Sequence, residues 1–300
     1  MLTDYHVHLR PDDLDASAAQ HFTSANARRY RDAAGARGIG ELGVSEHVYR
    51  FRDALAIWDH RFWVENALDD LPAYCAFVRE QTDLKLGLEV DYIPGRERQT
   101  QALLERFDFD YVIGSVHFVA VAGAGAGAVD MEEHGIWSSG RTPDEVWQAY
   151  FRTLGQAAAS GLFDILAHPD LVKVFGDPGR RPDGDLRRFY ELALPGIARS
   201  GIALELSTAG LRKPCAELYP ARALLEMTLA AGAPIALSSD AHRPADLGYG
   251  YDRALALLDE LGVEQICVFE RRRRSLAPIG AEPPRAGAAQ GARVAGQERS

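Results

Sequence analysis

Cysteine, surplus positive charge and long apolar runs are all scarce in this chain, and each scarcity excludes something. Its three cysteines, Cys75, Cys215 and Cys267, are odd in number and widely scattered. That pattern supplies neither a disulfide framework nor a thiolate zinc cluster, and it suits a reducing, cytoplasmic setting. Acidic side chains outnumber basic ones, 43 to 33, for a formal net charge of -10. Such a surface repels a polyphosphate backbone, so nucleic acid is not an expected partner and small molecules are. No stretch of about 18 apolar residues occurs, and no basic segment leads into an apolar one at the N-terminus, so neither a membrane span nor a secretory leader is expected. What the chain does have is 47% hydrophobic residues in a length of 300, enough for one large core.

Short apolar runs recur with room for a helix between them: "LTDYHVHL", "ELGVSEHV", "LKLGLEVDY", "FDYVIGSVH", "FDILAHPD", "IALELSTAG" and "APIALSSDAH". The intervening "TPDEVWQAYFRTLGQAAASG", residues 142 to 161, shows a helical period, an acidic start and a glycine to stop it. Alternating strands and helices imply an α/β protein with a parallel sheet, and this many units favour closure into a barrel. A further run, "QICVF" at 265 to 269, is an eighth strand candidate. The Gly/Ala tract over 119 to 130 reads as a flexible loop. From residue 271 the chain is rich in Arg, Gly, Ala and Pro without apolar period, so one domain over 1–270 and a disordered tail over 271–300 are expected.

The metal-capable side chains collect where these strands end. "HVH" closes the first run, "SEH" the second, "GLE" the third, "GSVH" the fourth, "AHPD" the fifth and "SSDAH" the last. His6 and His8, two residues apart on an extended backbone, project to one face. In a parallel barrel the ends of all the strands share one rim, which brings together His6, His8, His47, Glu89, His117, His168, Asp240 and His242. His21, His60 and His134 fall off this pattern and read as ordinary solvent-facing residues. Imidazole and carboxylate ligands without thiolates suit zinc, manganese or iron. Eight are too many for one ion, so two or three divalent ions sharing a carboxylate are implied. Ions about 4 Å apart serve displacement at phosphorus, which points to hydrolysis of a small phosphorylated substrate.

Taken in order, "HVH", "SEH", "GLE", "GSVH", "AHP" and "SDAH" resemble the motifs of the PHP (polymerase and histidinol phosphatase) superfamily. "GSVHF", "AHPDLVKVF", "STAGLRKP", "ELYP" and "LSSDAH" are most similar to its monofunctional histidinol-phosphate phosphatases. The resemblance implies a distorted (β/α)7 TIM-like barrel and a phosphate monoester hydrolase of histidine biosynthesis. It also implies one ion on His6, His8, Glu89 and Asp240, and a second on Glu89, His117 and His168. A third would take His47, His242 and a ligand from the loop after strand one. That loop, "LRPDDLDAS", has no histidine, so either Asp12, Asp13 or Asp15 substitutes, with Asp13 the first choice, or the third site is weaker or empty. Glu89, His117, Asp240 and His242 are the residues expected to be catalytic as well as ligating. Arg212, Lys213 and Lys173 are expected to bind the phosphate, and Asp91 or Asp170 to orient a cationic substrate or protonate its leaving group.

Three other readings compete. "DYHVHLR" also resembles the first motif of dihydroorotase-type amidohydrolases, although these need a metal-bridging lysine on strand four. A non-catalytic PHP module supporting a partner is the second. The third keeps the phosphoesterase chemistry and changes the substrate to a nucleotide or another small phosphate ester.

Overall fold

The computed structural model describes residues 1–13 and 15–280. The chain forms β1 (Leu2–Asp4), β2 (Ile39–Val44), β3 (Lys85–Asp91), β4 (Tyr111–Ser115), β5 (Phe118–Val121) and β6 (Gly125–Ala128), followed by β7 (Ile165–Leu166), β8 (Ala203–Ser207), β9 (Ile235–Ser238), β10 (Gln265–Glu270) and β11 (Arg273–Pro278). Strands β1, β2, β3, β4, β7, β8 and β9 pair in that order as one seven-stranded sheet, parallel throughout. Six of them lie within one of the seven apolar runs, and β2 starts two residues ahead of its run. The sheet curls until its edges meet: the His8 N–H donates to the Ala241 carbonyl at 2.8 Å, and the Ala241 N–H to the His6 carbonyl at 3.1 Å. A (β/α)7 barrel results, closed at its C-terminal rim by the segments that carry the histidines.

Side chains alternate across the barrel wall with the period of a strand. Val112, Leu166, Leu204 and Leu237 face the outer layer of helices. Ile113, Ile165, Ala203 and Ala236 turn inward to a second cluster around Tyr5 and Tyr111. Tyr111 fills so much of the interior that a Cβ on Gly43 or Gly87 would lie 2.3 Å from its side chain, which is why β2 and β3 each carry a glycine there. Outside, the helix Pro143–Ala159 begins at a reciprocal cap. The Thr142 hydroxyl accepts from the Glu145 N–H at 3.3 Å, and the Glu145 carboxylate accepts from the Thr142 N–H at 2.9 Å. Gly161, at φ +72°, ends the segment. Among the described residues no helix is long and apolar enough to cross a membrane.

Three expectations need correction. Residues 265–269 are not a barrel stave: β10 pairs antiparallel with β11, and this hairpin sends Cys267 and Phe269 into the inner cluster. Its turn is Arg271-Arg272, both at positive φ, where hairpin turns ordinarily use Asn-Gly, so the sequence carries no turn signal. Arg272 instead holds the turn through Asp164 at 2.5 Å and the Leu162 carbonyl at 2.7 Å. Residues 271–278 therefore belong to the domain and not to a tail, while 281–300 lie outside the described residues. The Gly/Ala tract is not a loop either, because Phe118–Val121 and Gly125–Ala128 pair as an antiparallel hairpin. Its small residues permit close approach: a Cβ on Gly127 would lie 2.8 Å from the Ile136 nitrogen.

Candidate metal centre

Main-chain bridges beyond the strand ends set the rim side chains. Val7 bridges Ala241 on one side and accepts from the Ser45 N–H at 2.8 Å on the other, so His6 and His8, on either side of Val7, point inward together with ring centroids 5.2 Å apart. His47 bridges Glu89 across β2 and β3. His117 follows β4. His168 and Asp240, after β7 and β9, are non-glycine residues at positive φ, +22° and +49°, a conformation that costs backbone energy and is kept where side-chain aim requires it.

The eight expected ligands do come together. Glu89, 1% exposed, stands at the middle with its two oxygens facing different groups. Oε2 is 2.5 Å from His47 Nδ1, 3.3 Å from His6 Nε2 and 3.6 Å from His8 Nε2. Oε1 is 3.2 Å from His168 Nε2 and 3.6 Å from His117 Nε2. Asp240 Oδ1 lies 3.4 Å from His8 Nε2 and 3.6 Å from both His6 Nε2 and His242 Nδ1. His242 Nε2 is 3.4 Å from His47 Nε2.

Several of these atoms are buried without a hydrogen-bond partner: His6 Nε2, both nitrogens of His8 and Asp240 Oδ1. Buried polar atoms are otherwise almost always paired. Three groups have ligand atoms within 4.8 Å of one another: His6, His8 and Asp240; His6, Glu89 and His168; His8, His47 and His242. A donor set of this chemistry, orphaned and convergent, fits divalent cations.

The electrostatics also ask for positive charge. Burial opposes ionisation of Glu89, yet the imidazoles of His47, His6 and His117 hold its carboxyl well below the usual range. Burial likewise disfavours a charged His117, but Asp91 and Glu89 push it up to about 10. His6 is raised against burial by Glu205, Asp240 and Glu89. His8 moves the other way, lowered by burial and by its neighbours His47 and His242. The carboxylates around His6 and His117 thus favour positive charge at these two positions.

Behind the cluster lies a layer of buried partners that residue patterns did not reveal. Glu205 on β8, fully buried, is 2.8 Å from His6 Nδ1 through Oε1 and accepts from the His168 N–H at 2.5 Å through Oε2. Its signal was available: in "ALELS" it is the one charge on a wholly buried strand. Asp91 sits 2.7 Å from His117 Nδ1. Both carboxylates fix the ring orientation of a candidate ligand.

Other expected residues stand elsewhere. Asp13, first choice for the third site, is exposed and paired with Arg243 at 3.2 Å. Asp12 is the aspartate of this loop that stands near the cluster, 3.1 Å from His242 Nε2 and 4.0 Å from His47 Nε2, where Arg50 Nη2 fixes its carboxylate at 2.5 Å. Asp15, the third aspartate of the loop, makes no ion pair with the cluster among the described residues. Lys173 is engaged by Asp170 at 2.9 Å and Glu217 at 3.0 Å and lines a different cavity. Arg212 donates to the main-chain carbonyls of Ser239 at 2.8 Å and Asp240 at 2.9 Å, so it braces the Asp240 turn from behind. Lys213 does line the cavity above the cluster, together with Asp130, Asn66 and Phe118. Asp170 accepts from the Ala221 N–H at 2.8 Å and, like Asp91, is absent from that lining. His21, His60 and His134 lie outside the cluster but are half-buried; His134 is 3.6 Å from Glu65.

A family model described as the PHP domain matches residues 17–209. That span takes in His47, Glu89, His117 and His168, to which barrel closure adds His6, His8, Asp240 and His242. The probable histidinol-phosphatase of Deinococcus radiodurans is 34% identical over 253 residues, covering 82% of this chain and 91% of that protein. Two solved structures share the fold. A candidate histidinol phosphatase from Listeria monocytogenes superposes with a TM-score of 0.67 at 20% identity, covering 84% of this chain and 99% of its own. Histidinol phosphate phosphatase from Lactococcus lactis, solved with zinc, L-histidinol and phosphate, gives 0.61 at 19% identity, covering 91% of this chain and 98% of its own.

Proposed function

The chain belongs to the PHP domain family, and from that premise we propose that it is a metal-dependent phosphate monoester hydrolase whose substrate is L-histidinol phosphate. The observation that carries the chemistry is Glu89, one oxygen toward His6, His8 and His47 and the other toward His117 and His168. We assign His6, His8, Glu89 and Asp240 to one ion and Glu89, His117 and His168 to a second. His47, His242 and Asp12 take a third. Zinc, manganese and iron suit these donors. Bound there, such ions supply Lewis-acid charge that activates water and neutralises phosphoryl oxygens.

The protein's own groups orient and hold. Glu205 and Asp91 keep His6 and His117 in the tautomer that leaves Nε2 free. Arg212 fixes Asp240 through the main chain, and Lys213 meets the phosphate dianion as a point charge at the cavity wall. The substrate follows from the relationship to the Deinococcus protein, which extends over 82% of this chain. A cyclic-amide hydrolase would need a lysine on strand four, and β4, Tyr111–Ser115, carries none.

The test is a substrate panel with metal-reconstituted protein. L-Histidinol phosphate should exceed nucleotides and sugar phosphates by at least about tenfold in kcat/KM, which corresponds to about 1.4 kcal/mol in transition-state binding. A panel won by a nucleotide or sugar phosphate would overturn the substrate and keep the reaction. Cyclic-amide hydrolysis without phosphate release would overturn both.

A further inference from the structure

The cavity above the ligand cluster has two charged lining residues that are not candidate ligands, Lys213 and Asp130. Lys213 answers to the phosphate. Asp130 lies among the imidazoles of His117 and His168, and its Oδ1 is buried without a hydrogen-bond partner among the described residues. Its position is nonetheless fixed, because the preceding N–H, that of Val129, donates to the His117 carbonyl at 2.8 Å, and the Trp137 indole N–H donates to the Val129 carbonyl at 2.8 Å. A carboxylate is thus held in the lining of the cavity beside the ligand cluster, at the exit of the β5–β6 hairpin, with one oxygen unpaired.

The substrate named above, on which this inference rests, has a matching group. In L-histidinol phosphate the ammonium sits on the carbon next to the phosphate-bearing methylene, and the imidazole lies one carbon farther out. A phosphate at the cluster brings the ammonium within a few bonds of the ligands, in the cavity that His117 and Asp130 line together. The imidazole then reaches toward the aromatic wall of Tyr49, Phe62 and Phe118. Asp91 and Asp170 are engaged elsewhere, by His117 and by Lys173. We propose that the Asp130 carboxylate receives the ammonium of the substrate and so selects amine-bearing phosphate monoesters. The same carboxylate works against other substrates: a dianionic monoester without a cation meets an unpaired negative charge, which is how a site rejects a competitor as well as favouring its ligand.

The experiment compares L-histidinol phosphate with 3-(imidazol-4-yl)propyl phosphate, the same alkyl ester without the amine. Wild-type protein should prefer the amine by at least about thirtyfold in kcat/KM. Asp130→Asn should cut that ratio to within about threefold of unity while ion content stays at the wild-type level. L-Histidinol binding by calorimetry should weaken by at least about tenfold in the variant, a readout independent of turnover. Asp130→Ser gives the same comparison should the amide disturb the hairpin. Equal loss on both esters, or loss of ions, would make Asp130 a ligand, a proton donor or a structural group and overturn the proposal. So would an amine preference that survives in both variants, or a wild-type enzyme indifferent to the amine, and in these cases the phosphatase reading stands. Absence of phosphate release from every monoester would overturn both.

Discussion

Glu205→Gln tests the layer behind the metal ligands with almost no change of shape. Glu205 Oε1 faces His6 Nδ1 at 2.8 Å and also accepts from the Ser238 hydroxyl, while Oε2 accepts from the His168 N–H at 2.5 Å. Glutamine has one oxygen for these two sides. Should its NH2 face His168, two donors meet and a buried N–H loses its partner, at a cost of about 1–3 kcal/mol. Should it face His6, Nδ1 must accept and the imidazole proton moves to Nε2, the atom 3.3 Å from Glu89 and proposed to bind the ion. The second orientation weakens the ion at His6 directly, the first disturbs the main chain of a ligand of the second ion, and in both the lost charge on the partner of His6 weakens the first ion. Disturbing such partners typically costs about 10–100-fold in metal affinity or activity, or about 1.4–2.7 kcal/mol. The measurement is ion content per chain after dialysis against graded free zinc, with circular dichroism as the control for folding. The larger loss should fall on the ion at His6, whose partner loses its charge in both orientations, because Asp91 continues to support His117. Wild-type ion content and turnover in Glu205→Gln would refute the role given to this carboxylate.

Two further outcomes follow from the site. Asp12→Ala should remove or weaken one ion and lower turnover by at least about tenfold, whereas Asp13→Ala, which loses only an exposed pair with Arg243, should change stability by about 0.5 kcal/mol or less; equal effects in metal analysis would contradict the assignment of Asp12. Zinc binding at pH 7 should release protons, since His117, its pKa pushed up to about 10, holds one in the metal-free protein that a ligand must give up. Affinity then rises by about tenfold per pH unit for each proton displaced, and calorimetry in buffers of different ionisation enthalpy would expose a flat, proton-free binding that contradicts it. The sign for stability is the reverse: protonated His117 stabilises the metal-free fold fully below the ordinary imidazole range, and that contribution is lost as pH rises toward 10.

The ligand constellation was legible because coordination chemistry restricts residue type and strand geometry restricts spacing. His6 and His8 share a face through a period of two, and six runs ending in His, Glu or Asp can meet only at a barrel rim. What failed to show was whatever depends on loop backbone. Asp12 and Asp13 are adjacent and chemically identical, and what separates them is that Arg50 holds the first and Arg243 the second. Arg212 and Lys213 are adjacent cations, yet one turns back to the Ser239 and Asp240 carbonyls and the other faces the cavity. The β10–β11 hairpin escaped notice because Arg271-Arg272 is not turn chemistry, and because a run of arginines reads as solvated chain until Asp164 is found beneath it.

The Gly/Ala tract shows how such a misreading bears on function. As a loop it would offer the cavity nothing fixed. As a hairpin whose Gly127 packs directly on the Ile136 backbone, it delivers Val129 to the His117 carbonyl and leaves the next side chain, Asp130, with little freedom. The residues that ligate ions must be similar in any phosphoesterase built this way, since the phosphoryl group and the water are the same in all of them. Discrimination among leaving groups has to come from what stands one layer out, on segments free to differ in length and composition. A stretch with almost no side chains can therefore carry the selective group: glycine and alanine let the hairpin approach closely enough for a single carboxylate to be held at a defined distance from the reacting centre.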